Sequence, residues 1–209
     1  MAVRGLVDVS ALRHMWRTSR VDFLNALAAL VGVLLLGILQ GILLAALISV
    51  LLLLALSASP HVAVLGRIPG TEQYSDIGRH PHNEPLAGVL AVRPEAALLY
   101  LNADYVQSSI LVQLEAAGSR AIRNVVCDLS ASPSMDLAGA RMLAELCENL
   151  GNRGIGLTVT NAHGRVRDLL RAEGLVGKVR GIARGTSLEG ELSALFEAGT
   201  RELPGQAGP

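Results

Sequence analysis

A long uncharged segment near the start of the chain constrains its fold more than any other feature. From Phe23 to Leu56, 34 consecutive residues include no Asp, Glu, Lys or Arg, and their only polar side chains are Asn25, Gln40 and Ser49. One helix of this length would measure roughly 50 Å, whereas the hydrocarbon core of a bilayer is about 30 Å thick. The segment is therefore too long for one membrane span and suits two short ones.

Two glycines mark the point at which the uncharged segment divides. Gly37 and Gly41 both weaken a helix, and a glutamine lies between them. We predict a transmembrane helical hairpin over residues 21–58, with helices at about 22–36 and 38–57. A buried helical hairpin of a soluble protein is the alternative, but its helices would each be expected to keep a polar face, which this segment lacks.

The residues before the hairpin predict its orientation. Residues 1–20 contain four arginines and one aspartate, and the positive-inside rule places such a segment in the cytoplasm. We predict an amphipathic segment on the membrane surface, with Trp16, Arg17 and Arg20 as its membrane anchor. Because two spans return the chain to its starting side, we expect a multi-pass protein of the inner (plasma) membrane with both termini in the cytoplasm.

The residues after the hairpin have the pattern of an α/β domain. Short apolar runs typical of strands alternate with amphipathic helical patterns. We predict a cytoplasmic domain over residues 59–200, built as a mixed β-sheet covered by helices, and a disordered tail over residues 201–209. The 18 basic and 18 acidic residues of the whole chain balance, so the charge gives no reason to expect nucleic acid as a partner.

The boundaries of the individual elements follow from their periodicity. Leu137 and Cys147 are expected to face the core, and Arg165, Arg167 and Arg171 to face solvent. The predicted strands are 62–66, 88–94, 96–102, 124–130, 156–161 and 178–183, the predicted helices are 103–117, 136–154, 162–173 and 187–199, and 67–87 is predicted to be a long loop.

The start of the predicted helix 136–154 is the first candidate for a functional site. Asp136 is a favourable N-cap, and the free backbone N–H groups of the first helical turn suit an anion. His163 lies at a strand-to-helix junction, where α/β sheets bind ligands. The candidate anion-binding or partner-binding loop comprises Asp128, Ser130, Ser132, Ser134, Asp136, Leu137, Ala138, Gly139 and His163.

Several classes of chemistry lack support in the sequence. His80 and His82 have no cysteine or paired carboxylate at ligand spacing, so we predict no metal. No nucleotide-binding, nucleophile-elbow or metalloprotease motif occurs, so we predict neither an enzyme nor a cofactor. Cys127 and Cys147 are too few for a disulfide framework, and we expect two reduced thiols.

Three motifs together resemble a known domain. An apolar strand ends in Asp-Leu-Ser at residues 128–130, Asp-Leu-Ala-Gly at 136–139 opens a helix, and a later helix ends in Gly-Leu at 174–175. This pattern resembles a STAS domain, the fold shared by sulfate transporters and anti-sigma factor antagonists. The segments RTSR at 17–20, GILQGILLA and HVAVLGRIPGT resemble the end of bacterial SulP-family anion permeases, in which the last two membrane helices run into a C-terminal STAS domain.

The resemblance implies a function and its partners. The chain would be the C-terminal membrane hairpin and regulatory STAS domain of a SulP-type inorganic anion (sulfate-like) transporter, as a truncated permease or one subunit of a split one, and not transport-competent alone. Its expected partners are the remaining membrane helices, the lipid bilayer and a second copy in a homodimer. In the antagonists the third residue of the Asp-Leu-Ala-Gly pattern is a phosphorylated serine; Ala138 stands here, so no phosphorylation is expected. The alternative is a free-standing, membrane-tethered STAS module that binds a partner protein, a small anion or a nucleotide.

Overall fold

The structure is a computed structural model that describes residues 9–18, 20–118 and 121–201. The chain divides into two units, one within residues 1–56 and one within residues 57–209. The first eight residues of the predicted amphipathic segment, and all of the predicted tail except Arg201, lie outside the described residues.

The first unit is helical and contains the uncharged segment. Its elements are α1 (Val9–Thr18), α2 (Arg20–Leu36) and α3 (Ile38–Ala58), the last of which extends just past the boundary of the unit. The chain turns between α2 and α3 at Gly37, whose φ of +91° is a left-handed conformation that favours glycine. A Cβ on Gly41 would lie 2.4 Å from the backbone nitrogen of Val33, so the two helices pack backbone against backbone there.

One of these helices is long and apolar enough to cross a membrane, namely α3. A shorter apolar helix covers Ala26–Leu35 within α2. Most large apolar side chains of both helices are exposed to their surroundings in the isolated chain, Leu34, Leu35 and Leu39 among them. Such a surface needs lipid or other helices around it.

The second unit is a five-stranded mixed sheet with helices on both faces. Its elements are β1 (Val62–Arg67), β2 (Tyr74–Asp76), β3 (Val89–Pro94), α4 (Ala103–Ala116), β4 (Asn124–Asp128), α5 (Leu137–Gly151), β5 (Gly156–Thr160), α6 (Gly164–Ala172) and α7 (Leu188–Arg201). The strand order is β2-β1-β3-β4-β5, with β3, β4 and β5 parallel and β1 antiparallel to both of its neighbours. The predicted fold class is confirmed.

Alternating side chains of the strands build two apolar layers. On one face, Val125 and Cys127 of β4 pack with buried residues of α4, α5 and α6. On the other face, Val126 packs with Leu188 and Leu192 of α7. Because successive strand residues point to opposite faces, the short strand β4 serves both layers, which is why its three central residues are apolar and its polar residues, Asn124 and Asp128, lie at its two ends.

The predicted strand at 96–102 is wrong. The segment consists of turns, and its only pairing in the described structure is a single parallel bridge between Leu98 and Met135. Local hydrogen bonds replace the ladder, because the backbone nitrogens of Asn102 and Ala103 both donate to the carbonyl of Leu99. The Asn102 side chain also accepts from the nitrogen of Leu99 and donates to the carbonyl of Ser57.

The predicted strand at 178–183 is also wrong, for a different reason. Arg180 exchanges backbone hydrogen bonds with β5, donating to Leu157 at 3.2 Å and accepting from Val159 at 2.9 Å. Gly181 follows with φ +83°, and a Cβ there would lie 2.2 Å from the Val159 carbonyl oxygen. The left-handed residue ends the extended conformation after one bridge.

Two further expectations need correction. The predicted loop 67–87 contains the short strand β2, which forms because Leu65, Gly66 and Arg67 pair with it across the sheet. Leu137, predicted to face the core, is 43% exposed. At 3.6 residues per turn Leu137 lies about 180° around α5 from the buried Leu146.

Candidate functional site

Asp136 anchors the candidate loop from both of its carboxylate oxygens. Oδ1 accepts from the backbone nitrogen of Gly139 at 2.9 Å, which makes Asp136 the N-cap of α5. Oδ2 accepts from the backbone nitrogen of Tyr100 at 2.8 Å. The carboxylate therefore occupies the helix N-terminus that sequence reasoning had assigned to an external anion, and the role of Asp136 is structural.

Gly139, the last residue of the Asp-Leu-Ala-Gly pattern, lies where a side chain would not fit. It is buried, and a Cβ would lie 2.5 Å from the carbonyl oxygen of Leu98 and 2.9 Å from Cγ of Met135. The same Leu98 oxygen accepts from the backbone nitrogen of Asp136. The start of α5 is therefore held against the turn at 98–100. Asp136 caps the helix, and Gly139 allows the helix backbone to approach the Leu98 carbonyl closely.

Cys127 supplies a probe of how firmly this region is folded. Burial, followed by the neighbouring Asp128 carboxylate, raises the pKa of the Cys127 thiol to about 12. A protonated, inaccessible thiol reacts with alkylating reagents only after the domain opens. In a Cys147→Ser background, the denaturant dependence of Cys127 alkylation therefore reports the free energy of unfolding of the second unit.

We predict that Asp136→Ala lowers the free energy of unfolding of the second unit by about 1–2 kcal/mol, because an N-cap is lost and the Tyr100 nitrogen loses its acceptor. Cys127 alkylation of the full chain in detergent micelles measures the change. Ser134→Ala is the control, since Ser134 is exposed beside the same loop, and its effect should stay within about 0.5 kcal/mol. Equal effects of both substitutions would contradict the capping role.

Asp128 joins the ends of two neighbouring strands. It is buried at the end of β4, where Oδ1 accepts from the Asn161 side-chain amide at 2.9 Å and Oδ2 accepts from the Ser130 hydroxyl at 2.8 Å. Asn161 follows β5 and has φ +54°, a left-handed conformation that asparagine tolerates. The buried acid is thus hydrogen-bonded within the protein and holds the β4 and β5 loops together.

The three serines of the candidate loop lie in different environments. Ser132 is fully buried and its hydroxyl donates to the carbonyl of Pro94 at 3.2 Å. Ser130 and Ser134 are exposed, and the Ser130 hydroxyl is held by Asp128. Ala138 is half-buried and offers no hydroxyl. The structure therefore does not bring these residues together as one polar binding surface.

A cleft with both apolar and charged lining lies instead between the starts of α4 and α5. It has a volume of about 560 Å³ and is lined in part by Tyr100, Leu137 and Ala138. Tyr100 is 76% exposed. Sequence reasoning missed Tyr100 because it placed this residue in a strand; its position after a Pro-Glu turn and before an Asn was the available signal for a loop.

His163 belongs to a different cavity, of about 330 Å³, at the start of α6. It is the N-cap of α6 but makes no side-chain capping hydrogen bond. Arg167, predicted to face solvent, is half-buried: it donates to the carbonyl of Ala162 at 2.6 Å, and its Nε is buried without an acceptor. Asn161 and Thr186 also line this cavity. Of its four polar side chains, only His163 was predicted from the sequence to belong to a binding site.

Two of the three residues of the predicted membrane anchor, Trp16 and Arg20, form a small cluster with Phe23 within the first unit. The Trp16 ring meets Phe23 edge-on at 4.9 Å between centroids, and the Arg20 guanidinium lies 5.8 Å from the centre of the Trp16 ring. Trp16, Arg17 and Arg20 are all exposed.

In the described part of the chain, no group of three metal-ligating side chains comes together.

Comparison with protein families identifies the second unit. The family model described as the STAS domain matches residues 81–186. The chain is 32% identical over 187 residues to low affinity sulfate transporter 3 of Stylosanthes hamata, covering 85% of this chain and 29% of that protein. It is 27% identical over 183 residues to sulfate transporter 3.1 of Arabidopsis thaliana, covering 84% of this chain and 28% of that protein. The chain thus spans less than a third of the length of these plant relatives.

Comparison with solved structures agrees on the fold. The murine Solute Carrier 26 family member A9 anion transporter, in the inward-facing state, matches with a TM-score of 0.75 at 19% identity, covering 91% of this chain and 31% of that one. These relatives are transporters rather than enzymes. The residues matched by the STAS family model include the parallel strands β3, β4 and β5, the capped helix α5 and the candidate loop. The chain therefore belongs to the STAS domain family.

Proposed function

We propose that the chain is the membrane hairpin and regulatory STAS domain of a SulP-type transporter of an inorganic, sulfate-like anion, of the bacterial kind that its sequence resembles. One observation carries the proposal: similarity to sulfate transporters extends over 83–86% of the chain in six relatives. Such a span includes residues of the apolar helices as well as the STAS domain.

The hairpin supports a role as part of a larger membrane assembly. Anion pathways in membranes need charged side chains or helix N-termini around the ion, and residues 23–56 contain no charged side chain. The exposed leucines of α2 and α3 instead suit contact with lipid and with the remaining membrane helices, supplied by the same longer chain or by a separate subunit. The hairpin is therefore not transport-competent alone.

The charges beside the hairpin support its orientation. Arg13, Arg17 and Arg20 precede the uncharged segment 23–56 and are exposed. The positive-inside rule then places both termini and the STAS domain in the cytoplasm, with the hairpin in the inner (plasma) membrane. Regulation would act through contacts of the STAS domain, including those of a homodimer, because Ala138, at the position of the phosphorylated serine, has no hydroxyl.

Uptake of radioactive sulfate by the source cells tests the proposal. Deleting the coding sequence for residues 59–200 should lower uptake, and re-expression of the complete gene should restore it. An antibody against residues 59–200 then reports the mass of the native polypeptide. A band far above 21.9 kDa indicates one longer permease chain, and a band at that mass indicates a separate subunit. Uptake of sulfate and of related inorganic anions that is unchanged by the deletion would overturn the proposal.

The cavity at the start of α6 favours a second candidate, a tethered STAS module that binds a small anion or nucleotide. The first backbone N–H groups of α6 and the Arg167 guanidinium border one polar cavity, a combination that attracts phosphate or sulfate. Unchanged anion uptake together with saturable phosphate binding, lost in Arg167→Gln and kept in Arg165→Gln, would establish this candidate in place of the first.

A further inference from the structure

The cleft between α4 and α5 opens to solvent and is lined by both apolar and charged side chains. Its floor includes the buried Ala103 and Met142, and its walls include Tyr100 and Leu137. An aromatic residue and a leucine exposed on one concave surface are typical of a protein docking site, where they become the buried anchors of the interface.

Acidic side chains dominate the rim of this cleft. Asp104 and Glu145 line it, and in the described part of the chain neither forms an ion pair. Arg141 also lines the cleft, but its charge is already partnered, because its Nε lies 3.7 Å from Oε2 of Glu173. The uncompensated charge at the rim is therefore negative, so an occupant of opposite charge is favoured.

We propose that this cleft docks a Lys/Arg-rich cytoplasmic loop of a polytopic membrane protein, with one large apolar side chain of the loop between Tyr100 and Leu137. The inference rests on the proposed function, which places the STAS domain beside a membrane transport domain. Cytoplasmic loops of membrane proteins carry an excess of Lys and Arg, which matches the acidic rim. The apolar walls supply the buried centre of the interface and the acids its polar rim.

Site-specific photo-crosslinking in native membranes tests the proposal. Benzoylphenylalanine is incorporated in place of Leu137 in the complete protein, and the crosslinked peptide is sequenced by mass spectrometry. Benzoylphenylalanine in place of Val112 is the control, because Val112 is an exposed apolar residue of α4 that does not line the cleft. The expected result is a crosslink from position 137, and not from position 112, to a loop with an excess of Lys and Arg.

Charge reversal separates specific docking from general attraction. Asp104→Lys combined with Glu145→Lys should lower the crosslink yield from position 137 by about tenfold, because like charges now meet. Glu189→Lys is the matched control, since Glu189 is another exposed acid in the first turn of a helix, and it should leave the yield unchanged. Equal losses from both changes would overturn the proposal.

The remaining outcomes separate this inference from the proposed function. A crosslink from position 137 only to lipid, to an acidic segment or to nothing overturns the docking site, and the sulfate-uptake result stands independently. A crosslink to a basic loop of a membrane protein that carries no anion supports the docking site while contradicting the transport role.

Discussion

Gly139→Ala is expected to lower the free energy of unfolding of the STAS domain by about 3 kcal/mol, near the upper end of the cost of overpacking. The reason is the kind of atom that the new methyl group meets. The carbonyl oxygen of Leu98 lies 2.5 Å from the Cβ position, and a backbone oxygen cannot rotate away as a side chain can. Alkylation of Cys127 in a Cys147→Ser background measures the change.

Gly151→Ala is the control for the effect of alanine in the same helix. Gly151 ends α5, and a Cβ there meets nothing within 4 Å. Alanine at this position should stabilise the domain by about 0.5–1 kcal/mol, because it restricts the unfolded chain and favours the helix. A loss of stability in Gly139→Ala together with a gain in Gly151→Ala would support the close contact at Gly139. A gain of stability in both variants would contradict it.

Leu146→Ala is expected to be the other large effect, a loss of about 2–5 kcal/mol of stability. Leu146 is fully buried in the layer that α5 forms with the sheet. Removing its side chain leaves a cavity that the surrounding strands cannot fill, because they are held by backbone ladders. The same Cys127 alkylation assay measures the loss, in detergent micelles and with the complete chain.

Leu137→Ala tests which face of α5 is buried. Leu137 belongs to the same helix but is exposed at the cleft, so its replacement should change stability by less than about 0.5 kcal/mol. A loss as large as that of Leu146→Ala would show that Leu137 faces the core, as its spacing in the sequence suggests. In that case Leu137 would not be available as an apolar wall of the proposed docking cleft.

Elements with a strong local signal could be predicted from the sequence. The strand β4 has an apolar centre at residues 125–127 and is followed by turn residues, and α5 repeats its apolar residues at helical spacing behind a capping aspartate. The segments 96–102 and 178–183 also look like strands. Their conformation depends on partners distant in sequence or on a single left-handed glycine, which periodicity does not reveal.

The candidate site shows the same division. The sequence by itself determined that Asp136 caps a helix, because capping is a contact between residues three apart, and that Ala138 cannot accept a phosphate. Only the tertiary structure decided that the second oxygen of Asp136 is used by Tyr100, 36 residues away, and that Tyr100 and Leu137 share a cleft. Local contacts follow from neighbours along the chain, whereas a cleft exists only where two helices from separate segments meet.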